Sequence, residues 1–359
     1  YPLIDGVVNG CPSHLLEPQR LQRIPYSEDF DNAAWTKDSV LTPTSGFVSP
    51  KGDLSASKLT EDTSNSTHRI SDVIIVSFTG VVCTQSIFAK SGGNGRFLRL
   101  FRGSGTYNYA VFDLENGTVF SQGGNNIIST KIEKYPNGWY RCSSTFTTQF
   151  GNIATYYGLQ NGNLDSYNGD GTSGIYIFGA QLEEGSFPTS YIPTTSASVT
   201  RVAETANGAG DASTFNSTEG VLYAETSALE DSTGGSVRRL SLSNGTNDNR
   251  IQILFSNVAG RIGVVAKSGG LFQIDTGFLG YSTTDFNKVA IRYGSGLFEV
   301  YINGLSVFTD GGVAFSSISL DDLSLTSPTG LETMYSNTKQ IQYFDSALTD
   351  SELQALTKI

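Results

Sequence analysis

Histidine and cysteine are nearly missing from this chain, with 2 His and 3 Cys among 359 residues. A Ser-His-Asp or Cys-His site needs a histidine oriented by a carboxylate. His68 opens a strand-like run in STHRIS and His14 lies in a proline-rich leader; neither sits in a nucleophile motif, and G-x-S-x-G does not occur. Both read as surface or core-edge residues, and the chain reads as a non-enzyme. Cys11, Cys83 and Cys142 are too few and too scattered for a disulfide framework or a zinc site, and one thiol stays odd even if two pair. Cys83 and Cys142 fall in apolar strand patterns and read as small core residues.

Charge is scarce as well. Charged residues make up 16% of the chain, and 34 acidic against 23 basic residues leave a formal charge of −11. That balance excludes nucleic acid, whose phosphates reward clustered Lys and Arg, and an anionic membrane surface. No apolar run is long enough to cross a bilayer as a helix, so no membrane insertion is expected. Arg96, Arg99 and Arg102 form one local basic patch. It reads first as solvated outer-face residues, and alternatively as a contact for an acidic sugar. The chain opens on Tyr1 with no signal-peptide pattern, which raises the expectation of a processed or excised part of a longer protein.

What is abundant is glycine, at 40 residues, together with 21 Phe and 17 Tyr against 2 Trp. Short alternating runs joined by Gly, Asn and Asp turns suit antiparallel strands. About nine such runs lie between Tyr26 and Glu184, among them RFLRLFR, YNYAVFDL, WYRCSSTFTT, IATYYGLQ and GIYIFGAQLEE. Asn116-Gly117, Asn137-Gly138 and Asn303-Gly304 each read as the centre of a tight hairpin, because a type I′ turn needs positive φ at both positions. Around Pro188 and Pro193 the pattern lapses into Ser, Thr, Ala and Gly, and it restarts at VLYAETSAL. The reading is all-β: two tandem antiparallel β-sandwiches and a short C-terminal helix, capped by Thr349 with Glu352. The expected divisions are a connector arm at 1–25, one sandwich at 26–195, a linker at 196–214 and a second sandwich at 215–359.

Glycoside hydrolysis needs two carboxylates flanking the scissile bond, but Glu225, Glu230-Asp231 and Asp321-Asp322 read as solvated strand ends. Sugar binding favours aromatic faces flanked by amides, carboxylates and arginines. The candidates are Tyr107 and Tyr109, Tyr156 and Tyr157, and Tyr167, with Asp165, Asp170 and Arg99 as polar partners. Tyr156 and Tyr157 are neighbours on one strand, so they point to opposite faces and only one can be core. Tyr167 stands in a turn-rich loop, where a large aromatic has less structural reason to be. Asp165, Asn168, Asp170 and Thr172 make the densest oxygen-bearing loop, suited to calcium or to an ordinary Asx turn.

Several segments resemble a known family. Tyr167–Thr195, YNGDGTSGIYIFGAQLEEGSFPTSYIPTT, is similar to a segment of bacteriophage tail-fibre and tail-spike proteins and of prophage-type surface adhesins. CPSHLLEPQR at Cys11–Arg20 resembles the connector of that module, with His14 in place of an apolar residue and Leu21-Gln22 in place of Thr-Asn. YSEDFDNAAWTK at Tyr26–Lys37 resembles its opening. FNKVAIRYGSGLFEVYINGLSVF and KQIQYFDSALTDSELQALT are similar to concanavalin-like, laminin-G-like sandwiches. The resemblance implies a jelly roll like carbohydrate-binding modules followed by a concanavalin-like module, with Trp35 and Trp139 in the core and the leader packed on a neighbouring domain or protomer. It implies glycan attachment without cleavage, at a virion tail or extracellular surface, in a homotrimer whose repeated sites add avidity. The one cofactor it raises is a structural calcium ion near Glu28 and Asp29 or at Asp170, although Phe178 occupies the place of an expected aspartate. The alternatives are a depolymerase or lyase whose carboxylates come from separate strands, and a virion spacer that touches no sugar.

Overall fold

A computed structural model describes residues 13–75, 79–102, 108–149, 152–231, 237–294, 296–311 and 319–359, with the backbone of a short pair at Leu3–Ile4 and Val7–Val8. Cys11 and Tyr107 lie outside the described residues. The chain forms two units. One holds residues 19–202; the other holds Ala203–Ile359 and takes back residues 13–18 of the leader.

The N-terminal unit is a sandwich of two six-stranded antiparallel sheets. In spatial order the first sheet runs Ile127–Lys134, Tyr140–Thr147, Val82–Ser91, Gly174–Glu184, Ala56–Thr60 and Thr44–Phe47. The second runs Thr118–Gly123, Asn108–Asp113, Arg96–Arg102, Asn152–Asn161, Arg69–Ile75 and Thr36–Asp38. Period-2 alternation sends Leu98, Leu100, Ala110, Phe112, Tyr157 and Leu159 inward, against Cys83, Ile87, Cys142, Ile175 and Ile177 from the first sheet. Trp35 joins that core edge-on to Tyr157, at 5.8 Å between ring centres.

The outer face of the first sheet is also covered. Phe88, Trp139 and Phe178 are buried there beneath Tyr191, which belongs to the Pro-punctuated exit segment. Glu183 fixes that segment by accepting from the Thr189 amide and hydroxyl at 2.8 and 2.6 Å, and Gln181 accepts from the Ile192 amide at 2.8 Å. Gln22 bridges the leader to the same strand through Leu182 and Ala180. The recognisable QLEE wording is therefore structural: its polar side chains fold the exit back over the sheet.

The C-terminal unit is a second sandwich. Its six-stranded sheet runs Leu305–Asp310, Leu297–Ile302, Asn287–Gly294, Gly220–Ala228, Ser336–Phe344 and His14–Leu15. Its five-stranded sheet runs Leu271–Leu279, Arg261–Ser268, Arg250–Phe255, Arg238–Ser243 and Asp322–Ser324. Leu16, from the segment read as a connector arm, is buried in this core. The helix Asp350–Thr357 carries the expected capping box of Thr349 and Glu352 and buries Leu353.

Of the three hairpin signals, two have the expected backbone. Asn303 and Gly304 both take positive φ, at 51° and 85°, between directly paired Ile302 and Leu305; Asn137 and Gly138 do likewise at 61° and 77°. Asn116-Gly117 differs, with positive φ only at Gly117. Asp113 accepts from the Glu115 and Asn116 amides, and its own carbonyl takes the Gly117 N–H at 2.9 Å, so a longer side-chain-stabilised turn replaces the two-residue one.

Candidate functional site on the open face of the second sheet

With the first sheet covered by the exit segment, the outer face of the second sheet is where outward side chains of the N-terminal unit collect. Register sets them in rows. Tyr109 pairs with Phe101 and Phe101 with Tyr156, which places three aromatic residues side by side across three strands. In the next row Arg99 pairs with Gly158 and Gly158 with Arg69. Glycine between the two arginines leaves a notch, since a side chain there would meet the Phe101 ring at 3.3 Å.

The contacts are dense. Phe101 and Tyr156 stack at 4.6 Å with 9° between planes. The Arg69 guanidinium lies 4.6 Å from the Tyr156 ring centre, and that of Arg99 lies 5.0 and 4.9 Å from those of Phe101 and Tyr109. Each arginine also holds a carboxylate: Arg69 donates to Asp38 at 2.9 Å and Arg99 to Asp165 at 2.6 Å. The Arg99 hydrogen bond is the main reason the Asp165 carboxyl sits below its ordinary pKa. Among the described residues, the buried Arg99 Nε has no hydrogen-bond partner. Tyr109 lies flat over Gly123, where a side chain would come within 2.8 Å of the ring. The result is an aromatic row edged by alternating guanidinium and carboxylate groups.

Three expectations need correcting. Tyr157 points into the core with no exposure, so it cannot meet a ligand. Tyr167 is 5% exposed; its hydroxyl donates to buried Glu61 at 2.7 Å and its ring packs on His68. Arg102 leaves the basic patch altogether, turning inward to Gln85 and the Ser144 carbonyl, while Arg96 is forked onto Glu61 at 2.7 and 2.8 Å. Tyr156, Asp165 and Arg99 do come together, and Arg69, which the sequence reading missed, completes them. Its only sequence signal was alternation in HRISDV, which gives the face but not the neighbours.

The calcium residues do not form a cage. Asp170 spends its oxygens on Thr172 and Ser173, accepting from both amides at 2.7 Å and from the hydroxyls at 2.9 and 2.6 Å, which holds its carboxyl well below the usual range. Glu28 lies elsewhere, with Lys51 Nζ at 3.2 Å from both its oxygens and 4.8 Å from the Phe178 ring centre. An ammonium and an aromatic ring thus stand beside Glu28. Among the described residues, no group of three or more His, Cys, Asp or Glu side chains is placed to hold a metal ion.

Among the acids considered for hydrolysis, Glu225 is engaged with Lys339, Glu230 with Arg238, Asp231 with the Thr283 hydroxyl and Asp322 with the Ser324 hydroxyl. Both ring nitrogens of buried His68 face carbonyl oxygens, of Ser39 at 2.5 Å and Tyr167 at 3.1 Å.

No protein-family model matches the chain, and no curated protein does. Among solved structures, it is similar to the CBM40 module of a Ruminococcus gnavus IT-sialidase, at 17% identity over 43% of this chain and 95% of that one, with a TM-score of 0.34. Mouse laminin α1 domains LG4-5 align at 9% identity over 80% of this chain and 92% of theirs, TM-score 0.25. A Trypanosoma rangeli sialidase aligns at 12% over 94% and 66%, TM-score 0.33. Likenesses this distant carry no argument about ligand. The all-β, two-sandwich assignment rests on the sheets themselves.

Proposed function

We propose that this chain recognises glycan without cleaving it, and that the open face of the second sheet is the recognition surface. The observation that carries the reading is the arrangement of Tyr109, Phe101 and Tyr156 in one row, with Arg69–Asp38 and Arg99–Asp165 pairs along its edge. A pyranose has an apolar face and a rim of vicinal hydroxyls. Paired guanidinium and carboxylate groups supply donors and acceptors, and the half-buried Tyr109 and Tyr156 supply the aromatic contact, with Phe101, 5% exposed, backing them. The guanidinium covers the Tyr156 ring, so that ring offers its edge and hydroxyl rather than an open face.

On this reading the protein is the receptor-binding part of a phage tail fibre or spike that attaches to host surface polysaccharide. The wording of Cys11–Arg20, Tyr26–Lys37 and Tyr167–Thr195 supports that placement. A homotrimer would multiply a modest single-site affinity through effective concentration.

Calorimetric titration against a panel of surface polysaccharides tests it. Binding should occur without release of reducing ends, and Arg99→Gln should weaken it about tenfold by removing a charge-assisted hydrogen bond. Affinity unchanged in both Arg99→Gln and Tyr109→Ala would move the recognition surface elsewhere; new reducing ends would replace recognition by hydrolysis.

A further inference from the structure

The C-terminal unit carries a second concentration of arginine, independent of the surface just described. On the outer face of its five-stranded sheet a cleft of about 190 Å³ is lined by Arg239, Arg250, Arg261, Leu254, Phe272 and Asp275, among others. Its floor is set by glycine. Leu254 pairs with Gly263 and Gly263 with Gly277, and neither glycine has room for a side chain. A Cβ on Gly263 would meet Leu254 at 2.4 Å, and one on Gly277 would meet Arg261 Nε at 2.0 Å. The Leu254 and Arg261 side chains therefore lie down across the bare backbone of their neighbours, leaving a trough.

The positive charge there is only partly matched. Arg239 donates to Glu332 at 2.5 Å and to Gln252 at 3.1 Å. Arg250 is 9% exposed; one terminal nitrogen serves the Asn247 carbonyl and amide oxygen, while its buried Nε has no hydrogen-bond partner among the described residues. Burial and then the Arg239 charge push the Arg250 pKa below its ordinary value, against the opposing pull of Asp248, Glu332 and Asp275. Among the described residues the Arg261 guanidinium is tied to no carboxylate. Asp275 and Asp248 are the other acids acting on Arg250. All of this sits in a chain of formal charge −11, where a basic cleft is not a by-product of composition.

We propose that this cleft binds an oxyanion carried on a saccharide, either the carboxylate of an acidic sugar or a sulfate ester. Guanidinium forks match the two oxygens of either group. The volume exceeds what a bare anion fills and accommodates the sugar that bears it, and Phe272, 55% exposed, forms an apolar wall for the ring.

The test is calorimetric titration of the whole chain with trigalacturonate, the neutral galactotriose, its sulfated counterpart and inorganic sulfate. Trigalacturonate or the sulfated sugar should bind, the neutral one at least about tenfold more weakly, and the difference should shrink with added salt. Arg261→Gln should cost about tenfold in affinity for the charged sugar. Gly277→Ala should do the same with every charge retained, because it displaces Arg261. Unaltered melting confirms that both variants fold. Equal affinity for neutral and charged sugars, or affinity unmoved by both substitutions, would overturn the proposal. So would inorganic sulfate binding as tightly as either charged sugar, which would mark an adventitious ion only.

Discussion

Tyr167 donates its hydroxyl to Glu61 across 2.7 Å from a position 106 residues further along the chain. Glu61 is fully buried and also accepts from Arg96 and from the Asp170 amide. One carboxylate thus pins the Asp165–Thr172 loop and leaves Asp165, at its start, free to meet Arg99. Burial raises the Glu61 pKa, but the hydrogen bonds from Arg96, Tyr167 and the Asp170 amide outweigh it, and the carboxyl ends below its ordinary 4.5.

That depression fixes a pH dependence. A carboxyl more acidic when folded contributes stability that is complete above about 4.5 and is lost as pH falls through the folded value. Glu61→Gln should remove this part of the acid dependence, measured as melting temperature from pH 7 down to pH 3. Glu61→Ala should cost about 3–5 kcal/mol at neutral pH, because it strands a mostly buried Arg96. An unchanged acid limb in Glu61→Gln would refute the assignment.

Adjacent tyrosines should behave oppositely. Tyr157→Ala removes a core ring and should lower unfolding free energy by about 3–5 kcal/mol in denaturant titration. Tyr156→Ala lies on the outer face; it should leave stability within about 1.5 kcal/mol and weaken glycan binding instead. Similar destabilisation from both would place Tyr156 in the scaffold.

The described thiols should be inert. Cys83 and Cys142 are fully buried, and burial pushes both thiols up, Cys83 to about 11. Raised thiol values leave little thiolate at pH 8. Peptide mapping after maleimide labelling should find neither modified in the native protein and both modified in denaturant; fast native labelling of either would contradict the core packing.

Leu16 should report on the C-terminal unit although it lies in the leader. Leu16→Ala should destabilise that unit by about 2–5 kcal/mol through a cavity between its sheets. Hydrogen exchange would show the loss in Ser336–Phe344 rather than in residues 26–195.

Period-2 alternation made most of this legible, because it reports which face each side chain takes. It placed Cys83 and Cys142 inside and marked Tyr156 and Tyr157 as opposites. The family resemblance put Trp35 and Trp139 in the core; Trp35 is there, while Trp139 is buried on the outer face of the first sheet. Alternation is silent on which strand lies alongside. The row of Tyr109, Phe101 and Tyr156 is set by cross-strand register, and burial of Tyr167 depends on an acid far away in sequence. Asn116-Gly117 misled because Asp113, three residues upstream, offered the turn amides a side-chain acceptor. The leader was read as one arm because its prolines hide that residues 13–18 and 19–25 join different sheets.

The pairing of Leu15 with Asn337 has a consequence for how the protein is made. The leader strand leaves the ribosome well before its partner strand, with residues 19–202 made between them. Residues 19–202 can fold in the interval, so the sheet of the C-terminal unit closes around a loop that already contains a finished sandwich. Loop closure becomes costlier only slowly with length, and a preformed body inside the loop has little left to lose. Vectorial synthesis thus leaves an unpaired strand waiting in solution, and the speed of its capture sets how long the nascent chain is exposed to wrong partners.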